Sequence, residues 1–427
     1  MDGEVGRFTF KTHCIEKDGK IVYDTSRYFF PTLKGKEWYK TIGFKEISMV
    51  YGVIDNSYRK VRELINRIRY QEGATPLKTL EESVEAEGSK IIDFIEYKAN
   101  CILESNNFTR EGKPKDKSIE YGCIKAPCIA YISGEEVSPF TTDIIREELE
   151  KSERTNLFSE EVCSEILKNP VIYENPSETI NIIIDDVCAK KQKESRKNEN
   201  ISKDKSSEKY VYNTIAHIEK VDKSYTLNEK STVSILPILI AFLLSNGLVN
   251  YRLQFFLDGL RTLHASILKA FSWHKNIAII LDWYHLEEKC KMQLSMGLKG
   301  HVIRNEILDK LLPLLWYGLI DRAITLLTDI DKSLIKDESK LQALIGYFER
   351  NRKYIPCYAM RKKLGLRNSS NIGEKMNDLI VSERQKHNGM SWSKSGSVAL
   401  ASITTMVRNN EQDNWFNNKD IEFKMAA

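Results

Sequence analysis

Hydrophobic positions begin to recur at helical spacing from Lys45, after about 50 residues that mix short aromatic, strand-like runs with turns. Within FKEISMVYGVIDNSYRKVRELINRIRYQEGATPLKTLEESVEAEGSKIIDFI, Val61, Leu64, Ile65 and Ile68 stand three and four apart and form one apolar stripe. Arg59, Lys60, Arg62, Arg67 and Arg69 occupy the other side. Gly73-Ala74-Thr75-Pro76 interrupts the pattern, and Pro76 stands where a second helix begins. Two helices around a short Gly-containing turn fit a helix-turn-helix, with a second helix over about 76–86. That helix carries Glu81, Glu82, Glu85 and Glu87, which repel phosphate, so the basic helix before it is the better DNA-facing surface. A small helical packing domain is the competing reading.

Residues 101–178 read as a helical connecting region, with DIIREELEKSERT and SEEVCSEILKN as polar-faced helices. The pattern changes at INIIIDDV, a β-branched run ending in two aspartates, as a central buried strand does. KKQKESRKNENISKDKSSEK follows, a solvated loop over 189–208. Strands are predicted at YVYNTIAHIEKV, SYTLN, RLQFFLD and NIAIILD, with helices over 231–247, 260–272 and 285–300. A bundle-like helical insertion at about 300–365, then helices at 371–387 and 394–408, complete the pattern before a tail at 409–427. The expected fold class is α/β: an RNase H-like mixed sheet over 179–408, preceded by a mainly helical N-terminal region (1–100).

Composition narrows this little. The 427 residues and 41% hydrophobic content allow two or three domains with buried cores. A net charge of +4 from 64 basic and 60 acidic side chains leaves the question of nucleic acid to local charge. The start, MDGEVGRFTFKTHC, lacks the apolar stretch of a signal peptide, and the eight scattered cysteines read as reduced thiols. Cys123 and Cys128 have no second pair at zinc spacing, so they read as ordinary cysteines. ILPILIAFLLSNGLV is shorter than the roughly 20 apolar residues that cross a bilayer, so it reads as a buried helix.

Three aspartates end apolar strands: Asp185, Asp258 and Asp282. The carboxyl edge of an α/β sheet is where ligands collect, although one such Asp is commonly only a helix N-cap. Clustered carboxylates are what two-metal phosphoryl transfer uses, with Mg²⁺ or Mn²⁺ as the suitable ions.

The run FFLDGLRTLHASILKAFSWHKNIAIILDWYHLEEKC carries Asp258-Gly259 and then Asp282-Trp283-Tyr284-His285. ERNRKYIP and SSNIGEKMNDLIVSERQKHNGMSWSKSGSVAL follow. Over about 180–405 these segments resemble bacterial insertion-sequence transposases of the mutator-like DDE superfamily, with the Kra-type group as the nearest. The resemblance implies a catalytic, metal-binding triad of Asp185, Asp258 and Glu374, with two Mg²⁺ or Mn²⁺ ions. The family has Asp-Gly-Val where this chain has Asp185-Asp186-Val187, so Asp186 is the alternative first ligand. Asp282 and His285 match a C/D-x-x-H pair in a supporting role. The implied activity is DNA cleavage and strand transfer on double-stranded terminal repeats and target DNA, by a homo-oligomer in the bacterial cytoplasm at the nucleoid, without a membrane. Arg59, Lys60, Arg67, Arg361, Lys362, Lys363 and Arg384 are the expected DNA-binding cations. The alternatives are a transposase-derived DNA-binding protein without catalysis and a host nuclease of the same fold.

Overall fold

The computed structural model describes residues 2–3, 6–7, 14–24, 41–54, 57–68, 70, 76–125, 127–132, 135–136, 161, 172–192, 209–386 and 390–425. The expected helix of 143–155, that of 159–169 except Glu161, most of the charged loop, and Arg69 lie outside them.

Five strands form the central sheet: β1 (Thr179–Lys190), β2 (Tyr210–Lys220), β3 (Lys223–Glu229), β4 (Arg252–Leu257) and β5 (Ile277–Leu281). Their order is β3-β2-β1-β4-β5. β1, β2 and β3 pair antiparallel, whereas β4 runs parallel to both β1 and β5. The fold is therefore α/β with a mixed sheet, and all five strand runs expected after 179 are present.

Helices cover both faces. The N-terminal helices are α1 (Ile42–Ile54), α2 (Tyr58–Ile68) and α3 (Leu77–Ser105). α4 (Thr232–Ser245) and α5 (Arg261–Ala270) follow β3 and β4. After β5 come α6 (Trp283–Gly297), α7 (His301–Trp316), α8 (Ile320–Thr328), α9 (Glu338–Asn351) and α10 (Tyr358–Lys363). α11 (Asn371–Asn377) continues through a π-turn at Asp378–Ser382 into Glu383–Gln385, and α12 (Lys394–Arg408) and α13 (Gln412–Asn418) end the chain.

Side chains alternate across a strand, so each face of β1 meets its own layer. Ile180, Ile182 and Ile184 pack with the apolar helix α4, while Ile183 packs with Phe256, Ile280 and the helices after β5. Burial on both faces is why the run reads as continuously apolar. α4 is apolar all round for the same reason, and Ser231 caps it by accepting from the Ser234 amide at 3.3 Å. Among the described residues no helix is long and apolar enough to cross a membrane.

Two N- and C-terminal expectations change. The second helix of the expected helix-turn-helix is the 29-residue α3, which runs through the boundary drawn at residue 100. Gly88 lies flush against the Ala399 backbone of α12, and buried Glu87 accepts from Lys90, Lys419 and the Trp415 indole. α3 is thus a packing element rather than an open recognition helix. The expected tail is likewise part of the core: Trp415, Phe416, Ile421 and Phe423 are buried. Its Trp-Phe pair was the available signal, but too few residues surround it to set a period. Beyond the end of α3 at Ser105, the connecting region shows turns over 106–120 and a short strand at Pro127–Ile132 paired with Ile172–Glu174.

Candidate active site at the carboxyl edge of the sheet

Asp185 lies on the Ile183 side of β1, the side on which α11 packs. Gly373 allows that packing, because a Cβ there would collide with Ile183. Glu374 is the next residue, and Asn377, one turn on, donates Nδ2 to Asp185 Oδ2 at 2.6 Å. The other oxygen of Asp185 accepts from the Asp186 amide at 2.9 Å. Asp186 itself falls on the opposite face, where it accepts from the Thr214 hydroxyl across the β1–β2 ladder. Strand alternation therefore separates the two candidates for the first carboxylate.

Asp258 follows β4 and is exposed. Its Oδ1 accepts from the Leu260 amide at 2.9 Å, and its backbone carbonyl accepts from the Tyr347 hydroxyl at 3.1 Å. Gly259 has φ 88°, and a Cβ there would stand 2.7 Å from that hydroxyl, so only glycine suits the turn. Tyr358 makes a matching bond to the carbonyl of Leu281, at 2.7 Å. The helical insertion is thus fastened to the ends of β4 and β5.

Asp282 is 0% exposed and caps α6. Its Oδ1 accepts from the His285 amide at 2.8 Å and faces His285 Nδ1 at 3.1 Å, while Oδ2 accepts from the Ser370 amide just before α11. The His285 ring then directs Nε2 to Glu374 Oε1, 3.9 Å away. Asp282 and His285 link the β5 end to the helix bearing Glu374, which is a supporting arrangement.

The electrostatics divide along the same line. Burial pushes Asp282 up, but hydrogen bonds from His285 and Ser370 outweigh it and hold the carboxyl below its ordinary value. His285 is raised, chiefly by its bond to Asp282. Asp185 is raised by burial, with Asp258 and Asp186 adding to it. Glu374 is raised by burial as well, with Asp282, Asp185 and Glu288 adding and His285 opposing. Asp258 thus stands near enough to Asp185, and Asp185 to Glu374, for like-charge repulsion to help raise Asp185 and Glu374. Among the described residues, no three His, Cys, Asp or Glu side chains are grouped so as to hold a metal ion as they stand.

The expected DNA-binding cations separate into two sets. Arg59, Lys60 and Arg67 on α2 are exposed, as is Lys362. Arg361 and Arg384 are interior, at 2% and 4% exposure. Arg361 donates to Gln254 and to the backbone carbonyl of Arg367, both at 2.8 Å, and Arg384 lies over the rings of Tyr58 and Trp392. Burial removes these two from reach of a phosphate backbone; they brace the fold. Lys363 ends α10, and its side chain lies outside the described residues.

Sequence reasoning missed Asn377, Tyr347, Ser370 and Thr214. Asn377 carried a signal, its place three residues after Glu374 on one helix face. The others reach the edge only through tertiary packing. Comparison with protein-family models, curated proteins and solved structures returns no match.

Proposed function

We propose that the chain is a DDE-type DNA transposase on an RNase H-like fold, with its phosphoryl-transfer centre at the carboxyl edge of the sheet. The observation that carries this reading is the convergence of Asp185, Asp258 and Glu374 on that edge from three distant stretches of chain. The strand order, three antiparallel strands followed by two parallel ones, supports the RNase H-like arrangement.

The donor set fits a hard divalent cation. It consists of carboxylate oxygens, and two of the groups are raised by burial and by neighbouring carboxylates, an unfavourable state that Mg²⁺ or Mn²⁺ relieves. Asn377 Oδ1, buried beside Asp185 without a partner, is a further oxygen at the same place. When bound, a pair of such ions supplies charge neutralisation at the phosphate and a water of lowered pKa.

Asp185, Asp258 and Glu374 hold the charge; Asp282 and His285 keep Glu374 facing the strand ends. Water displaces the 3′-oxygen of an element end, and the freed 3′-hydroxyl then displaces a 3′-oxygen in target DNA. No bond to the protein forms. Exposed Arg59, Lys60, Arg67 and Lys362 take the DNA backbone, with a homo-oligomer at the nucleoid bringing two ends together.

The second reading, a DNA-binding protein without catalysis, is favoured by the absence of a ready-made metal group among the described residues. Purified full-length protein, given duplex bearing its own element's ends and Mg²⁺ or Mn²⁺, decides between them. The transposase reading expects cleavage and joining that Asp258→Ala and Glu374→Ala abolish while DNA binding persists. Absence of both reactions in the unaltered protein, with binding intact, favours the second.

A further inference from the structure

The two halves of one buried amide beside the site are unequal. Asn377 is 8% exposed. Its Nδ2 donates to Asp185 Oδ2 at 2.6 Å, yet its Oδ1 is buried with no hydrogen-bond partner. Rotating the amide by half a turn would set Oδ1 against the carboxylate, oxygen to oxygen, so the orientation with Nδ2 on Asp185 is the one that pairs. A buried, unpaired carboxamide oxygen is costly, and such groups in folded proteins call for an explanation.

Two features fix where this amide stands. Gly373 seats α11 flush on Ile183 of β1, four residues before it. Immediately after it the helix widens into the π-turn at Asp378–Ser382, with the Asp378 amide shared between the carbonyls of Glu374 and Lys375. π-turns inside helices are uncommon and concentrate at functional sites. Asp185 is consequently gripped from two directions, by the Asp186 amide on its own strand and by Asn377 on the helix that also carries Glu374.

We infer that Asn377 is a positioning residue of the proposed centre: Nδ2 fixes the orientation of Asp185, and Oδ1 is the acceptor for a water carried by the divalent ion. The inference rests on the metal-dependent reading above. It makes α11 a two-function helix, with Glu374 as a ligand and Asn377 as the residue that orients a ligand from the sheet.

Mn²⁺ titrated into full-length protein, with free Mn²⁺ followed by electron paramagnetic resonance, tests it. The variants are Asn377→Leu, which keeps the branched outline without the polar atoms, and Asn377→Ala, which removes the amide without adding bulk; Asp185→Ala is the reference. Residues that orient metal ligands typically change affinity by about 10–100-fold, so Kd should rise at least about tenfold in both Asn377 variants. Metal-free melting temperature and metal-free DNA affinity should stay close to those of the unaltered protein, which a merely structural role would not allow together with a weakened ion. If Asn377→Leu does not fold, Asn377→Ala carries the measurement. Saturable Mn²⁺ binding that is lost in Asp185→Ala but within about twofold of normal in the Asn377 variants overturns the inference alone. No saturable binding in the unaltered protein overturns the metal-dependent reading, and the inference with it.

Discussion

One edge of the sheet treats its carboxylates in two opposite ways. In the pocket at the start of α6, Asp282 is fully buried, and both its oxygens are occupied by donors from His285 and Ser370. On the rim beside it, Asp185, Asp258 and Glu374 have fewer donors, and neighbouring carboxylates help to raise Asp185 and Glu374. Asp258 and Asp282 both follow an apolar strand, so position alone does not set the role. The partners do. A buried carboxylate whose donors outweigh its burial builds the frame, and one raised by burial and by its like is available to a cation.

The largest effect expected from this contrast is on stability. Replacing Asp282 by Ala leaves His285 and the Ser370 amide without their acceptor and should cost about 3–5 kcal/mol in urea unfolding. Asp258→Ala, at the exposed rim, should stay within about 0.5 kcal/mol. Equal losses at the two positions would erase the distinction.

The pH dependence sharpens it, because the two groups carry opposite signs. Asp282 is depressed from its ordinary 3.8, so its stabilisation is present above that value and lost as pH falls through the lowered one. His285 is raised from 6.5, so its contribution is present below 6.5 and lost as pH rises through the raised value. The pair therefore supports the fold most fully from about pH 4 to 6.5. Asp185 and Glu374, raised from 3.8 and 4.5, stabilise only below those values and cost stability once ionised. Asp185→Asn should raise the metal-free melting temperature by a few degrees at neutral pH, with the difference vanishing in acid. A fall at neutral pH would count against the rim as described.

The smallest effect on stability is expected on α2. Reversing Arg59, Lys60 and Arg67 to Glu should shift unfolding by less than about 0.5 kcal/mol each while flattening the salt dependence of DNA binding. Arg361→Ala should behave in the reverse manner, destabilising the fold with the salt slope retained. Matching salt slopes for the two sets would remove α2 as a DNA surface.

Much of this was legible in the sequence where a periodic signal was strong. The strands of the sheet, α4 and α12 follow directly from runs such as INIIIDDV and ILPILIAFLL. Asp258 and Asp282 follow their strands as the apolar runs imply, but Asp185 does not end one: β1 continues to Lys190 along β2, and only its parallel pairing with β4 stops at Ile183. Burial of charged side chains was not legible: nothing local distinguishes Arg361, bonded to Gln254, from exposed Lys362. Nor did the acidic stretch of α3 disclose that Glu87 turns inward to Lys90 and Lys419. Those outcomes depend on partners many residues away.

The most direct test of the central claim uses two neighbours on one strand, whose side chains fall on opposite faces. Mn²⁺ should be titrated by calorimetry into Asp185→Ala and Asp186→Ala, each checked for folding. The account predicts that Asp185→Ala loses saturable binding, whereas Asp186→Ala, altered on the Thr214 side, retains it. Loss confined to Asp186→Ala, or identical binding in both variants, would contradict it.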